Sequence, residues 1–229
     1  MPATTPERGR PLKKTTILIV DDHPMLRRGL AALIESEPDL AVCAEAATCG
    51  AALEAIRERQ PDLVIVDLAL DGSDGLDLVK DMKTRHPKIP ALVLSMQDEA
   101  VYAARSLRAG ARGYVTKQEL ADTVLAAIRR LLDGETFMSD KLKARLAAKY
   151  VSGRTLETDS PLGALSDREL QVFRLIGQGR STRQIAKRLQ LSIKTIESHR
   201  EHIKQKLTVE SAAELAHRAT QWVETGRTG

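Results

Sequence analysis

Short apolar runs that end in carboxylates constrain this chain more than any other feature. Thr15-Thr16-Ile17-Leu18-Ile19-Val20 is followed by Asp21 and Asp22, and Leu63-Val64-Ile65-Val66 by Asp67. Such runs read as strands buried on both faces. The expected strands are 16–20, 41–44, 63–66, 91–95 and 113–115. Helical patterns fall between and after them, over 25–35, 49–58, 75–85, 99–109 and 119–132. Pro38, Pro61, Pro87 and Pro90 punctuate the series, since proline cannot continue a helix. Five βα units in a row imply a parallel sheet with helices on both faces and right-handed crossovers. Ligands of such sheets bind beyond the carboxyl ends of the strands. Asp21, Asp22, Asp67, Ser95 and Lys117 all fall at or just after those ends. Carboxylates lose hydration near a core, and three at one edge repel unless a cation sits among them. That arrangement suits a hard divalent metal and leaves one carboxylate as a nucleophile. Lys117 completes a site for a phosphoryl group.

The 229 residues suffice for two domains, and with only 3% aromatics the core must be aliphatic. No apolar stretch reaches the ~18 residues of a membrane span, and the first fourteen residues hold no apolar segment of signal-peptide length. A cytoplasmic chain without a membrane partner is expected. Cys43 and Cys49 make no metal-ligand pattern, and Cys43 reads as a small core residue in a strand. Residues 12–133 carry a net charge of −3 and residues 160–229 a net +5. The two parts therefore suit different partners, the second a polyanion.

The pattern changes after residue 133. A short basic helix is possible over 141–150, and 151–163 reads as a Ser/Gly/Thr/Asp/Pro linker. The last part is helical only. Ser166 and Glu169 form a capping box for a helix to about 176, closed by Gln178-Gly179. Ser181 caps a second helix to 189, Ser192 a third to about 206, and Ser211 starts a fourth to about 223. Ile196, Ile203 and Leu207 should face the core. The second and third helices, joined by Gln190-Leu191-Ser192, look like a helix-turn-helix. The expected boundaries are a first domain over 14–133, a linker over 134–163 and a second domain over 164–226.

These residues carry a family resemblance. Asp21-Asp22, Asp67, Ser95 and Lys117 at four strand ends resemble a bacterial response-regulator receiver. Leu165-Ser166-Asp167-Arg168-Glu169, Gly179, Ile185-Ala186, Leu189, Ser192, Thr195-Ile196, His199 and Lys206-Leu207 resemble the LuxR-type helix-turn-helix. The order resembles NarL/FixJ-type response regulators over nearly the whole chain. The fold class implied is α/β, a (βα)5 doubly wound receiver followed by a small all-α helix-turn-helix domain.

The resemblance implies that Asp67 is the phosphoacceptor, attacking a phosphohistidine of a sensor histidine kinase. Asp21, Asp22, Asp67 and the backbone carbonyl of Ala69 would hold Mg²⁺. Lys117 would meet the phosphoryl oxygens and Ser95 would hydrogen-bond to the acyl phosphate. Tyr114 occupies the place of an aromatic switch residue, coupling Ser95 to the fourth helix; a permanently packed tyrosine is the alternative. The protein would not be an enzyme, although the receiver would catalyse its own phosphorylation and slow dephosphorylation. The third helix of the second domain would read the major groove of double-stranded DNA. Lys194, Thr195, Glu197, Ser198, Arg200 and Glu201 are the candidates to face bases. Lys204, Lys206, Arg183 and Lys187 are better suited to phosphates. His199 is expected to be structural and partly buried. The fourth helix would help a phosphorylated homodimer form, with Trp222 either an interface anchor or a cover for the bundle. Unphosphorylated, the receiver would occlude the recognition helix.

Some residues depart from the family pattern. Asp71 replaces a proline after Asp67 and Asp74 adds a carboxylate, which bears on metal affinity and phosphoryl lifetime. Gln118 follows Lys117 where many receivers have proline. Glu201 is acidic where relatives are basic or neutral, and could pair with Arg200. Thr208 stands where many relatives have glycine. Three rival readings remain. One is a regulator that works without phosphorylation. Another is an aspartyl-nucleophile phosphatase, disfavoured because Ala69 stands where a second aspartate belongs. The last is an RNA-binding output domain, disfavoured by the scarcity of aromatic residues for stacking.

Overall fold

The computed structural model describes residues 14–70, 72–96, 99–118, 121–140, 142–144, 147–148 and 161–228. Strands β1 (Thr15–Val20), β2 (Leu40–Ala46), β3 (Leu63–Val66), β4 (Ala91–Ser95) and β5 (Gly113–Thr116) form one sheet in the order β2-β1-β3-β4-β5. Every pair is parallel. Helices α1 (Pro24–Glu35) and α5 (Ala121–Leu132) cover one face, where Ile17, Ile19, Ile65 and Leu92 meet Leu30, Ile34 and Ile128. Helices α2 (Cys49–Arg59), α3 (Gly75–Arg85) and α4 (Glu99–Ala109) cover the other, against Leu18, Val20, Val64 and Val93. Alternate residues of each strand thus supply two cores, which is why the strands read as unbroken apolar runs.

Register brings the polar strand ends together. Val20 pairs with Val66, so Asp21 and Asp67 leave adjacent strands side by side. Ser95 pairs with Thr116, which puts Lys117 one residue beyond the sheet edge. Strand order reverses between β1 and β3, opening the crevice where ligands of such sheets bind. The β1–β2 register slips between Ile17 and Leu18, leaving Cys43 as the extra residue of a bulge. Its thiol donates to the Ile17 carbonyl at 3.5 Å, and burial pushes its pKa up, so it is structural as expected.

After α5 the chain returns along the free side of β5. Phe137 N–H donates to the Arg112 carbonyl at 3.0 Å, and Tyr114 N–H to the Phe137 carbonyl at 3.1 Å. An edge strand is thereby covered. Residues 142–144 and 147–148 are helical, and the remainder of the expected 141–150 helix lies outside the described residues, as does 151–160 of the expected linker.

A 3₁₀ turn (Pro161–Ala164) precedes helices α6 (Asp167–Gly177), α7 (Thr182–Leu189), α8 (Ile193–Leu207) and α9 (Ala212–Thr228). Ser166 and Glu169 form the expected capping box, Ser181 and Gln184 a second one, and Ser192 caps α8 through Thr195 N–H. Ile196, Ile203 and Leu207 are buried. Helix α9 runs beyond the expected 223. Gly177 permits its approach to α6: a Cβ there would stand 2.2 Å from the Ala219 carbonyl oxygen.

The helical domain rests on α3 and α4. Arg105, 6% exposed in its side chain, donates to Asp167 at 2.8 Å and to the carbonyls of Leu165 (2.7 Å) and Leu162 (3.0 Å). Lys80 reaches the other Asp167 oxygen at 2.8 Å. Burial raises the Asp167 pKa, but the hydrogen bonds from Lys80 and Arg105 outweigh it and hold the carboxyl below its ordinary value. Trp222 of α9 stacks on Tyr102 of α4 with ring centroids 6.2 Å apart, and tilts against Phe173 of α6 at 5.7 Å. Trp222 thus does more than cover its own bundle; it joins the two domains.

Candidate functional site

Asp21 and Asp67 are buried at adjoining strand ends, 3% and 2% exposed. The Lys117 ammonium, itself buried, lies 2.7 Å from Asp21 Oδ2 and 2.7 Å from Asp67 Oδ2. One cation between two desolvated carboxylates offsets their repulsion, which neither would tolerate alone at this depth. Asp67 Oδ1 accepts from Ala69 N–H at 3.2 Å, and Asp21 Oδ1 from His23 N–H at 2.7 Å. The three carboxylates and His23 each offer one ligand atom within 4.8 Å of the others. His23 Nδ1 stands 2.6 Å from Asp22 Oδ1, yet no hydrogen bond of suitable geometry reaches that buried oxygen. A carboxylate oxygen without a donor, in a pocket of like charges, fits a divalent cation with oxygen ligands. Asp22 is not the helix cap: His23 occupies the N-cap of α1, without a side-chain bond.

Two residues that shape the pocket carry no charge signal in the sequence. Gly75 lies so close to Asp67 that a Cβ would stand 2.1 Å from the Asp67 carbonyl oxygen. Its N–H donates to the Leu68 carbonyl at 3.2 Å, closing the loop that follows Asp67. His23 is the other, visible only as the neighbour of two aspartates. Ser95 is fully buried at the end of β4, and its carbonyl accepts from Lys117 N–H at 3.0 Å. Tyr114 is 1% exposed, its ring already packed inward.

Asp74 does not add to this pocket. It caps α3, accepting from Leu76 N–H at 2.9 Å, and its charged neighbours are Arg174, Asp77 and Asp167 of the domain contact. Burial pushes its carboxyl up to about 6. Asp71 lies outside the described residues.

The second site is on α8. Lys194, Glu197, Ser198 and Glu201 are exposed along one face, with Thr195, Arg200 and Lys204 half-buried beside it. Arg183 and Lys187 are exposed one turn apart on α7. Three expectations need correcting. Glu201 pairs with Lys204 at 2.9 Å rather than with Arg200. Lys206 lies 2.6 Å from Glu169, so it neutralises the buried carboxylate of the α6 capping box and is not a free phosphate contact. The receiver does not occlude the recognition face, since those four residues stay exposed while the domains touch. Burial lowers the pKa of half-buried His199, as suits a structural imidazole. Thr208 does take the left-handed place of a glycine, with φ 53°.

Comparison with known proteins agrees with this layout. Residues 17–129 match the response regulator receiver domain family, and residues 163–219 match the bacterial regulatory proteins of the luxR family. The oxygen regulatory protein NreC of Staphylococcus haemolyticus is 35% identical over 207 residues, covering 89% of this chain and 95% of that protein. Among solved structures, RcsB from Salmonella enterica serovar Typhimurium, bound to promoter rprA in the presence of the phosphomimetic BeF3-, is 26% identical. It aligns with TM-score 0.67 over 91% of this chain and 99% of that one. A LuxR-family two-component response regulator from Aurantimonas sp. SI85-9A1 is 35% identical, with TM-score 0.57 over 61% of this chain and 99% of that one.

Proposed function

The chain belongs to the two-domain response regulators, a receiver followed by a LuxR-type DNA-binding domain, and from that premise we propose how it is switched. It is a DNA-binding transcription regulator controlled by phosphorylation. The observation that carries the assignment of Asp67 as acceptor is the Lys117 ammonium 2.7 Å from both Asp21 and Asp67, at adjoining ends of β1 and β3.

An Asp67 oxygen bonds to phosphorus as the P–N bond of a kinase phosphohistidine breaks, and the electron pair leaves with the imidazole. Asp21, Asp22, Asp67 and the Ala69 carbonyl would hold Mg²⁺. Magnesium, when bound, offsets charge on the carboxylates and on the incoming phosphoryl oxygens. Lys117 neutralises a phosphoryl oxygen, and Ser95 donates to the acyl phosphate. The receiver thus catalyses its own phosphorylation and slow hydrolysis and turns over no other substrate.

Tyr114 and α4 carry the change outward. Because the recognition face is exposed already, the docked receiver withholds α9 instead, through the stack of Tyr102 on Trp222. Phosphorylation favours a state in which α4 releases α6 and α9, and α9 can pair with a second copy. The DNA contacts come from the exposed α8 face, with Arg183 and Lys187 on phosphates.

The test is acetyl phosphate with Mg²⁺, followed by intact mass and by selection of bound DNA from a random pool. Wild type should gain about 80 Da, one phosphoryl group, and enrich a sequence; folded Asp67→Asn should gain no mass and enrich it more weakly. An equal gain in both proteins places the phosphoryl group elsewhere. No gain in either, with DNA still selected, favours a regulator that works without phosphorylation.

A further inference from the structure

The recognition helix opens on an exposed apolar side chain. Ile193 is the first residue of α8 and is 46% exposed, whereas Ile196, Ile203 and Leu207 of the same helix are 0%, 0% and 6% exposed. Among the described residues it is the one large hydrophobic group left open on the helical domain, since Met25, Leu26 and Met96 belong to the receiver. A single exposed apolar residue is ordinary on a protein surface. Ile193 differs by its place. It stands on the first turn of the helix that a helix-turn-helix lays in the major groove, where N-terminal residues meet base edges.

The polar side chains around it are largely committed. The Ser192 hydroxyl caps the helix, accepting from Thr195 N–H at 3.0 Å and lying 2.8 Å from the Thr195 hydroxyl. The Ser198 hydroxyl donates to the Lys194 carbonyl at 3.1 Å. Glu201 pairs with Lys204 at 2.9 Å. The short hydroxyls of this face are thus turned onto the helix itself. Ile193 stands four residues before Glu197 and so shares its side of α8, next to exposed Lys194. A β-branched side chain is stiff at χ1, so the surface that Ile193 presents is fixed in shape before any contact forms.

Base edges offer an isoleucine one matching surface. In the major groove every base pair presents hydrogen-bonding groups, and thymine alone adds a methyl group, at C5. Against any other base, Ile193 would strip water from a donor or acceptor and return no hydrogen bond. We propose that Ile193 is a specificity-determining residue that packs on the C5-methyl group of one thymine in the stretch of DNA facing α8. The proposal rests on the DNA-binding reading of α8 and goes beyond it in naming a base. Selectivity has two sources: apolar area buried against the methyl group, and a polar edge left unpaired where another base stands.

The experiment takes the sequence that the full-length wild type, treated with acetyl phosphate and Mg²⁺, enriches from a random pool. Each thymine is replaced in turn by deoxyuridine, which lacks only the methyl group, and affinity is measured by fluorescence anisotropy at fixed salt. One thymine should stand out, its replacement weakening wild-type binding about fourfold, the weight of one buried methyl group. Ile193→Ala should bind the thymine duplex more weakly and should no longer distinguish it from the deoxyuridine duplex. Ile193→Val, one carbon shorter, should keep a smaller discrimination, and it carries the comparison where the alanine variant binds too weakly to measure. Thermal melts of both variants check that the helical domain stays folded. The proposal is overturned if no thymine methyl group matters to the wild type, or if both variants keep the full wild-type sensitivity at the same base. Enrichment without a methyl effect sinks this proposal alone, whereas no enrichment by the wild type sinks the DNA-binding reading with it.

Discussion

Replacing Arg105 by alanine should separate the two domains while leaving each folded. The guanidinium donates to Asp167 and to the carbonyls of Leu165, Leu162 and Gly163, the last at 3.3 Å. A hydrogen bond from a charged donor contributes about 1.5–3 kcal/mol, but these three carbonyls share one nitrogen and cannot add in full. Removing one partner of a buried ion pair costs about 3–5 kcal/mol. Asp167 is 34% exposed and keeps Lys80, which argues for the low end. About 3 kcal/mol is therefore withdrawn from the docked arrangement, shifting its ratio to the open form by about two orders of magnitude. The loss falls on the contact because Arg105 serves the two cores from outside. Acrylamide quenching of Trp222 measures it: opening carries Tyr102 away and leaves one ring face wet. Quenching should rise in Arg105→Ala and by less in Arg105→Lys, which keeps the charge but not the fork. Wild-type quenching together with a wild-type hydrodynamic radius in the alanine variant would refute the reasoning.

Three other substitutions have signed outcomes. Thr208→Gly relieves a β-branched residue held at φ 53°. That conformation costs about 1–2 kcal/mol for a residue with a Cβ, and glycine gives back about 0.5–1 through its unfolded-state freedom, so urea unfolding should show a gain of up to about 1.5 kcal/mol. Burial raises the Asp74 carboxyl to about 6 in the folded state, against an ordinary 3.8. Its contribution to stability is complete below pH 3.8 and is lost as pH rises through 6. Asp74→Asn, an equally good cap, should therefore stabilise at pH 7.5 by about 1–2 kcal/mol, under the ~3 that the full shift would allow. The advantage should shrink toward zero as melts are repeated down to pH 4, and a constant difference would mean that the carboxyl stays charged. Lys206→Ala should cost about 1–3 kcal/mol of stability by stranding Glu169. It should leave the salt dependence of DNA binding unaltered, whereas Arg183→Ala should lower that slope by about 0.9.

The receiver was legible because each of its signals is local. Strands β3 and β4 and helices α3 and α4 have the bounds expected from their apolar runs and flanking punctuation. Strand ends fix where Asp21, Asp67 and Lys117 emerge, and register does the rest. The domain contact was hidden for the opposite reason. Arg105 and Asp167 are 62 residues apart, and each alone reads as a solvated helix charge. Lys206 misled because a lysine at the end of a recognition helix looks the same whether it faces phosphate or a carboxylate 37 residues back. Gly75 carried a legible signal, a glycine opening a helix beside the acceptor loop, but only the backbone approach to Asp67 shows why no side chain fits. Trp222 offered area without an address, since nothing near it in sequence names Tyr102 as its neighbour.

The bare crossing at Gly177 and Ala219 has a mechanical corollary. The Gly177 backbone meets the Ala219 carbonyl directly, with the Val223 side chain packed beside them, so the last helix has little room to slip along its neighbour. Whatever pulls on Trp222 drags the entire four-helix block, recognition face included, as a single rigid body. Bulk introduced at either crossing position would loosen that lever, so that motion started at the receiver no longer arrives intact at the groove of the DNA.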